Sequence, residues 1–157
     1  MLTVFVTYSY FLGLNNLGFI NETIRLVKER HGINIDIEQV PFEREVFDEI
    51  YAKGNTNSIF QFESTGMKQM LRQFKPENIE DIILLVAAYR PGPMQYLDSI
   101  IAVKHGKMKP DYVVPEMADV LGNTYCYPVY QEQIMTIFNK FAGFSLGESD
   151  IIRRLKH

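Results

Sequence analysis

The sequence predicts a mainly α-helical domain with one or two short strands. Three observations carry this reading. Apolar residues recur at steps of three and four through most of the chain, glycine and proline fall between those runs, and helix-capping residues stand where the runs begin. With 157 residues, 46% of them hydrophobic, the chain can bury one ordinary core.

Residues 1–10 are apolar and aromatic, but they lack a basic start and a small-residue cleavage site. They also fall short of the roughly 20 residues that span a bilayer, so they read as a strand or a ragged end. In residues 16–31, Leu17, Ile20, Ile24, Val27 and His31 make the stripe of a helix with one buried face, and Gly32 stops it. After a loop over 33–41, Val46, Phe47, Ile50 and Tyr51 form a second apolar helical face, with Gly54 placed for a left-handed cap. Ile59, Phe60 and Phe62 suit a short strand or extended passage over 58–62. Residues 64–74 set Met67, Met70, Leu71 and Phe74 against Lys68, Arg72 and Lys75, a basic amphipathic helix ended by Pro76.

Asn78 can cap the next helix, residues 79–89, which is apolar almost throughout and is expected to be the buried centre. Arg90-Pro91-Gly92-Pro93 breaks it, and a helix over 94–105 follows, closed by Gly106. A polar loop with Lys107, Lys109 and Pro110 leads to a short helix over 115–121. Residues 130–141 place Tyr130, Ile134, Ile137, Phe138 and Phe141 on one face. Ser145 and Glu148 then stand at capping-box spacing before a last helix that runs into Arg153-Arg154. About eight helices result, with no internal repeat.

A net charge of −3 points to neither nucleic acid nor a membrane, so any such signal must be local. Residues 34–63 are acidic. Three groups are basic: Lys68, Arg72 and Lys75; Lys104, Lys107 and Lys109 beside His105; and Arg153, Arg154 and Lys156. Each could be a solvated helix face or a contact for phosphate. Arg153 and Arg154 also suit a helix C-terminus, whose dipole favours cations.

The single cysteine, Cys126, excludes an internal disulfide and a cysteine-cluster metal site, and agrees with a cytoplasmic location. It lies between Tyr125 and Tyr127 and reads as a small buried residue. His31, His105 and His157 lack ligand partners at metal spacing, and Glu80 and Asp81 read as acids favouring a helix N-terminus. Two-metal nucleotidyl transfer needs converging carboxylates, and no pair here presents itself, so no catalytic or metal-binding residue is expected. Motifs for nucleotide hydrolysis and acyl transfer are also missing.

Five strings stand in order: Phe11-Leu12-Gly13-Leu14-Asn15-Asn16-Leu17, Phe60-Gln61-Phe62-Glu63-Ser64 with Gly66-Met67, Tyr89-Arg90-Pro91-Gly92-Pro93-Met94, Tyr130-Gln131-Glu132-Gln133-Ile134-Met135, and Gly143 to Glu148 through Asp150 to Arg153-Arg154. Together with Lys104-His105-Gly106, they resemble the alpha subunits of bacterial DNA polymerase III, over about residues 11–154. The resemblance implies DNA-templated DNA synthesis in a palm, fingers and thumb polymerase. Residues 1–15 would belong to the palm edge and 16–157 to part of the helical fingers domain.

It also implies magnesium in the full-length enzyme, with none held by this chain, and as partners DNA, deoxynucleoside triphosphate, the remaining polymerase and replisome subunits, but no membrane. Arg153 and Arg154 match paired arginines expected at the triphosphate of the incoming nucleotide. Arg90, Gly92, Tyr130, Gln131, Glu132 and Gln133 match motifs expected to shape or approach that pocket. Lys68, Arg72, Lys75 and Lys104 are candidate contacts for the DNA backbone.

There are departures from the family pattern. Tyr10 stands where the family has its third catalytic aspartate, the other two lie upstream of residues present here, and Cys126 replaces a usual glycine. The chain is therefore expected not to synthesise DNA alone. The alternative reading is a stand-alone module that binds single-stranded DNA, a nucleotide or a replication partner.

Overall fold

The structure is a computed structural model that describes residues 15–154. The strand or ragged end expected at residues 1–10, and the cation Lys156, lie outside the described residues. The chain divides into two units, Met1–Pro41 and Phe42–His157.

In the first unit, α1 (Asn15–His31) ends in Lys28, Arg30 and His31, cations that suit the negative end of the helix dipole. Gly32 closes it by donating to the Lys28 carbonyl at 3.0 Å. A 3₁₀ turn, Ile37–Gln39, is capped by Asp36, whose Oδ1 accepts from the Glu38 N–H at 3.1 Å. The helix expected from the periodicity is present. No residue of α1 is buried, and Leu17 and Phe19 remain 59% and 69% exposed. Periodicity marks a face that can be covered, and burial still requires a covering element. Phe19, Ile20, Thr23, Ile24 and Ile37 instead line a shallow apolar concavity.

The second unit holds the core. Its first helix, α2 (Arg44–Val46), continues as a π-helical turn over Phe47–Tyr51. The apolar face foreseen there is divided: Phe47 is buried and Val46 exposed. Gly54 takes the expected left-handed conformation, φ +65°.

Residues 58–62 are not a strand, and no strand occurs among the described residues. Ser58 and Gln61 have φ of +63° and +67°, and local bonds close the passage. The Ile59 N–H donates to the Thr56 carbonyl, the Phe62 N–H to the Ile59 carbonyl, and the Thr56 hydroxyl to the Phe62 carbonyl at 2.6 Å. These turns, with left-handed angles at Ser58 and Gln61, break the extended run that a sheet ladder needs.

α3 (Thr65–Phe74) starts at Ser64, whose hydroxyl accepts from the Met67 N–H at 3.2 Å, and it buries Met67, Leu71 and Phe74. α4 (Ile79–Ala88) begins at Asn78, whose side chain accepts from the Asp81 N–H at 2.9 Å. As foreseen, α4 is central. Its Ile82, Leu84, Leu85 and Ala88 join Phe47, Phe62, Met67, Leu71 and Phe74 in one apolar cluster, with Leu97 and Ile100 from α5 (Leu97–Lys104). Burying a side chain such as Leu71 or Leu85, neither of which is exposed, is worth about 1.5–3 kcal/mol.

A short helix α6 (Ala118–Leu121) leads through a 3₁₀ turn to Tyr125 and Cys126, both left-handed. Cys126 is buried, as foreseen, and its φ of +68° is a left-handed conformation that glycine adopts with less strain than a residue with a Cβ. α7 (Gln131–Ala142) and α8 (Leu146–Arg154) pack against each other. The expected capping box is formed: the Ser145 N–H donates to Glu148 at 2.8 Å and the Glu148 N–H to the Ser145 hydroxyl at 3.3 Å. No described helix is long and apolar enough to cross a membrane.

Candidate nucleotide and nucleic-acid contact surfaces

The turn after α4 is held at both sides of Arg90. The Arg90 N–H donates to the Ala88 carbonyl at 2.8 Å, and its carbonyl accepts from the Met94 N–H at 3.0 Å. Gly92 has φ +99° and ψ −83°, a conformation that a side chain would strain. The result is an exposed arginine on a pinned turn that leads into the 3₁₀ turn Pro93–Tyr96. Beside it, Gln61, Met67, Val86, Tyr89 and Arg90 line an open concavity of about 220 Å³. Gly66 makes the Tyr89 position workable, since a Cβ there would lie 2.2 Å from the Tyr89 hydroxyl.

Of the four residues 130–133, Gln133 faces inward and is only 6% exposed. Its Oε1 accepts from the N–H groups of Val129 and Tyr130 at 3.0 and 2.9 Å. Its Nε2, with two hydrogens to donate, lies 3.0, 3.1 and 2.8 Å from the Val120 carbonyl, Asn123 Oδ1 and Thr124 Oγ1, so one hydrogen is shared between two acceptors. All the capacity of the amide is used inside the chain, so Gln133 shapes this region rather than offering a ligand contact. Gln131 and Glu132 are exposed. Tyr130 is half-buried, and burial pushes its hydroxyl pKa up.

Arg153 and Arg154 come together on Asp150. Arg153 donates to Oδ1 of Asp150 at 2.6 Å, and Arg154 approaches Oδ2 at 2.7 Å. Hydrogen bonds from both guanidinium groups hold the Asp150 carboxyl below the usual carboxylate range. Arg153 is largely covered and Arg154 is 71% exposed. The contribution of Asp150 was missed from sequence, although its placement three and four residues before the arginines is a helical pairing signal.

On α3, Lys68 donates to Asn57 Oδ1 at 2.6 Å and Arg72 to the Lys53 carbonyl at 3.0 Å. Lys75 is exposed at the left-handed C-cap. Lys104 requires a correction, because it is not a surface cation. Its side chain is 5% exposed, and Nζ lies 2.7 Å from Asp81 Oδ2, 3.4 Å from the Tyr125 hydroxyl and 4.9 Å from the Phe74 ring centre. Burial disfavours the ammonium, but Asp81 and Tyr125 together outweigh it and raise the Lys104 pKa. A DNA phosphate would have to displace Asp81 to reach it. Asp81, read from sequence only as a helix N-terminal acid, also accepts from the Glu77 N–H at 2.8 Å.

The model of the bacterial DNA polymerase III alpha subunit finger domain matches residues 16–155. The chain belongs to that family. DNA polymerase III subunit alpha of Staphylococcus aureus (strain COL) is 46% identical over 144 residues, which cover 92% of this chain and 14% of that protein. The same subunit of Staphylococcus epidermidis is 45% identical over 145 residues, with the same two shares of 92% and 14%. The chain therefore spans about 14% of the length of the curated relatives it matches.

Within this finger domain, the structure divides the sequence-selected residues by availability. Arg90, Lys75 and Arg154 present charge to solvent, whereas Lys104 and Gln133 are used internally. No hydrogen bond or ion pair among the described residues joins the Arg90 turn to Arg153 and Arg154. No three of His, Cys, Asp or Glu converge on a cation-sized site among the described residues.

Proposed function

We propose that this chain is the part of a cytoplasmic replicative DNA polymerase that holds the incoming deoxynucleoside triphosphate and the templating strand, while the bond-making chemistry belongs to the rest of the polymerase. The observation that carries this reading is the finger-domain family match over residues 16–155. Its partners would be DNA, the triphosphate, and the remaining polymerase and replisome subunits.

Arg153 and Arg154 are the triphosphate contacts in this reading. Planar guanidinium groups make paired bonds to phosphate oxygens, and Asp150 pre-orients both side chains at the end of α8. The Arg90 turn and the residues from Tyr130 to Gln133 shape the surroundings, with Lys68, Arg72 and Lys75 along the DNA backbone. The full-length enzyme would use magnesium. The described residues supply no cluster of donors for that ion, and position 10 is tyrosine, which does not bind it as a carboxylate would.

The test is primer extension with magnesium and four nucleotides, run beside fluorescence anisotropy with single-stranded DNA at two salt concentrations. The expected result is no extension, with DNA binding that weakens as salt rises. Arg154→Ala is expected to weaken triphosphate binding about ten- to a hundredfold, as loss of a charged hydrogen bond does. Extension by the pure chain would overturn the assignment of chemistry elsewhere. Undetectable binding of both DNA and triphosphate would overturn the holding role.

A further inference from the structure

We propose that the concavity between the Gln61 loop and the end of α4 is a subsite for one nucleotide unit. In it the base lies on Met67, Val86 and the Tyr89 ring, its edge meets the Gln61 amide, and its phosphate meets Arg90. This inference rests on the proposed function and goes beyond it by naming a site that does not involve Arg153 and Arg154.

Polar groups with unused bonding capacity ring an apolar floor here. Met67 is 3% exposed, and it lines the concavity with Val86, Tyr89, Gln61 and Arg90. The Gln61 amide, Tyr89 hydroxyl and Arg90 guanidinium have no hydrogen-bond partner among the described residues. Nearby, Lys68 is bonded to Asn57, Arg72 to the Lys53 carbonyl and Lys53 to Glu49. An apolar surface with a few convergent polar groups is the usual form of a small-ligand site.

The backbone on both sides is built to hold those groups. Gln61 sits in a left-handed conformation, φ +67°, that costs free energy for any residue with a Cβ. The Phe62 and Ile59 N–H groups and the Thr56 hydroxyl close the loop around it. Across the concavity, Arg90 is fixed by the Ala88 carbonyl and the Met94 N–H. Gly66 leaves the space that the Tyr89 hydroxyl needs.

The chemistry selects the ligand. At about 220 Å³ the site is smaller than the roughly 300–1,000 Å³ that encloses a whole small molecule, so it suits one flat group with its charge outside. Tyrosine gives a stacking face that accepts any base. The glutamine amide both donates and accepts, so it can meet different base edges. Arginine matches the phosphate. A nucleotide unit has all three features, and it can come from a DNA strand or a free triphosphate.

The test uses the whole chain at low salt, with a short fluorescein-labelled oligothymidylate by anisotropy and dATP by calorimetry. Gln61→Gly is the informative variant, because glycine accepts the left-handed backbone while removing the amide. It is expected to melt no lower than the wild type and to bind at least one ligand about fivefold more weakly. Arg90→Ala is expected to bind that ligand about tenfold more weakly. Arg30→Ala, which removes a positive charge from α1, is expected to stay within about twofold.

Loss confined to the oligonucleotide assigns the subsite to the strand, loss confined to dATP assigns it to the free nucleotide, and either result supports the proposal. Wild-type affinity for both ligands in Gln61→Gly and Arg90→Ala overturns the subsite and leaves the proposed function standing. An equal loss in Arg30→Ala overturns it too, since the effect would then be one of net charge. Failure of the wild type to bind either ligand removes both the subsite and the reading on which it rests.

Discussion

The ammonium of Lys104 lies 2.7 Å from Oδ2 of Asp81, with only 5% and 6% of the two side chains exposed. The pair joins the last residue of α5 to the first turn of α4 at the edge of the apolar cluster. Asp81 meets its other obligations through the Glu77 N–H and the Tyr125 hydroxyl, and Lys104 also lies over Phe74. Such a pair contributes little over a well-packed apolar replacement, but breaking one side leaves a buried charge.

Lys104→Ala is therefore expected to destabilise the chain by about 3–5 kcal/mol in urea titration. The double variant Asp81→Leu with Lys104→Met is expected to cost much less than Lys104→Ala alone. A loss below about 1 kcal/mol in Lys104→Ala would mean that the pair is solvated.

Stability is expected to fall at alkaline pH. Burial raises the pKa values of Tyr51, Tyr125 and Tyr130 above 10.0, and Lys104 is raised above 10.5 because Asp81 and Tyr125 together outweigh its burial. A group whose folded pKa exceeds its unfolded value stabilises the fold fully below the unfolded value and loses that contribution as pH rises through the folded one. Melting temperature should hold level from neutrality to roughly pH 9 and drop above about pH 10. A melting temperature that keeps rising above that point would contradict the assignments.

Gly66→Ala is expected to cost about 1–3 kcal/mol, because the new Cβ would sit 2.2 Å from the Tyr89 hydroxyl and the ring has to shift. In a Tyr89→Phe background the nearest atom is the ring carbon at 3.4 Å, an ordinary contact. There the same change is expected to be neutral or to stabilise by up to about 1 kcal/mol, the helix preference for alanine. A double-mutant cycle that shows no coupling would remove this contact from the account.

Lys75→Gly is expected to raise stability by about 0.5–1 kcal/mol. Lys75 is exposed and ends α3 at φ +53°, where a Cβ is unfavourable and glycine is not. If Lys75 contacts the DNA backbone as proposed, the same variant binds DNA more weakly, so stability and binding move in opposite directions. Thermal melts and anisotropy on one preparation check both.

Gln133→Ala is expected to lose about 2–3 kcal/mol, since it leaves the Val129 and Tyr130 N–H groups and the Val120 carbonyl without their partner. Its effect on triphosphate affinity, measured well below the melting temperature, is expected to be small. A large loss of affinity in a protein of unchanged stability would make Gln133 a ligand contact instead.

The fold and the candidate site were not equally legible. Caps were plain from sequence: Asn78 and the Ser145–Glu148 box act on backbone groups three residues away, so local spacing contains the whole interaction. Residues 58–62 misled because Ile59, Phe60 and Phe62 have strand-forming side chains, while Ser58 and Gln61 adopt left-handed angles that residue type does not announce. Gln61 and Tyr89 were visible only as parts of family strings. Their shared concavity depends on bringing residues 61–67 against 86–90.

The sequence alone determined the helical class, the order of the helices, α4 as the apolar centre and the family, because these depend on periodicity, capping and motif order within the chain. Only tertiary structure decided that Lys104 is internal and Lys75 exposed, and that Gln133 turns inward. The physical reason is that a charge or an apolar face carries no record of its neighbours. Whether Lys104 meets water or Asp81, 23 residues away, is set by how α4 and α5 come together.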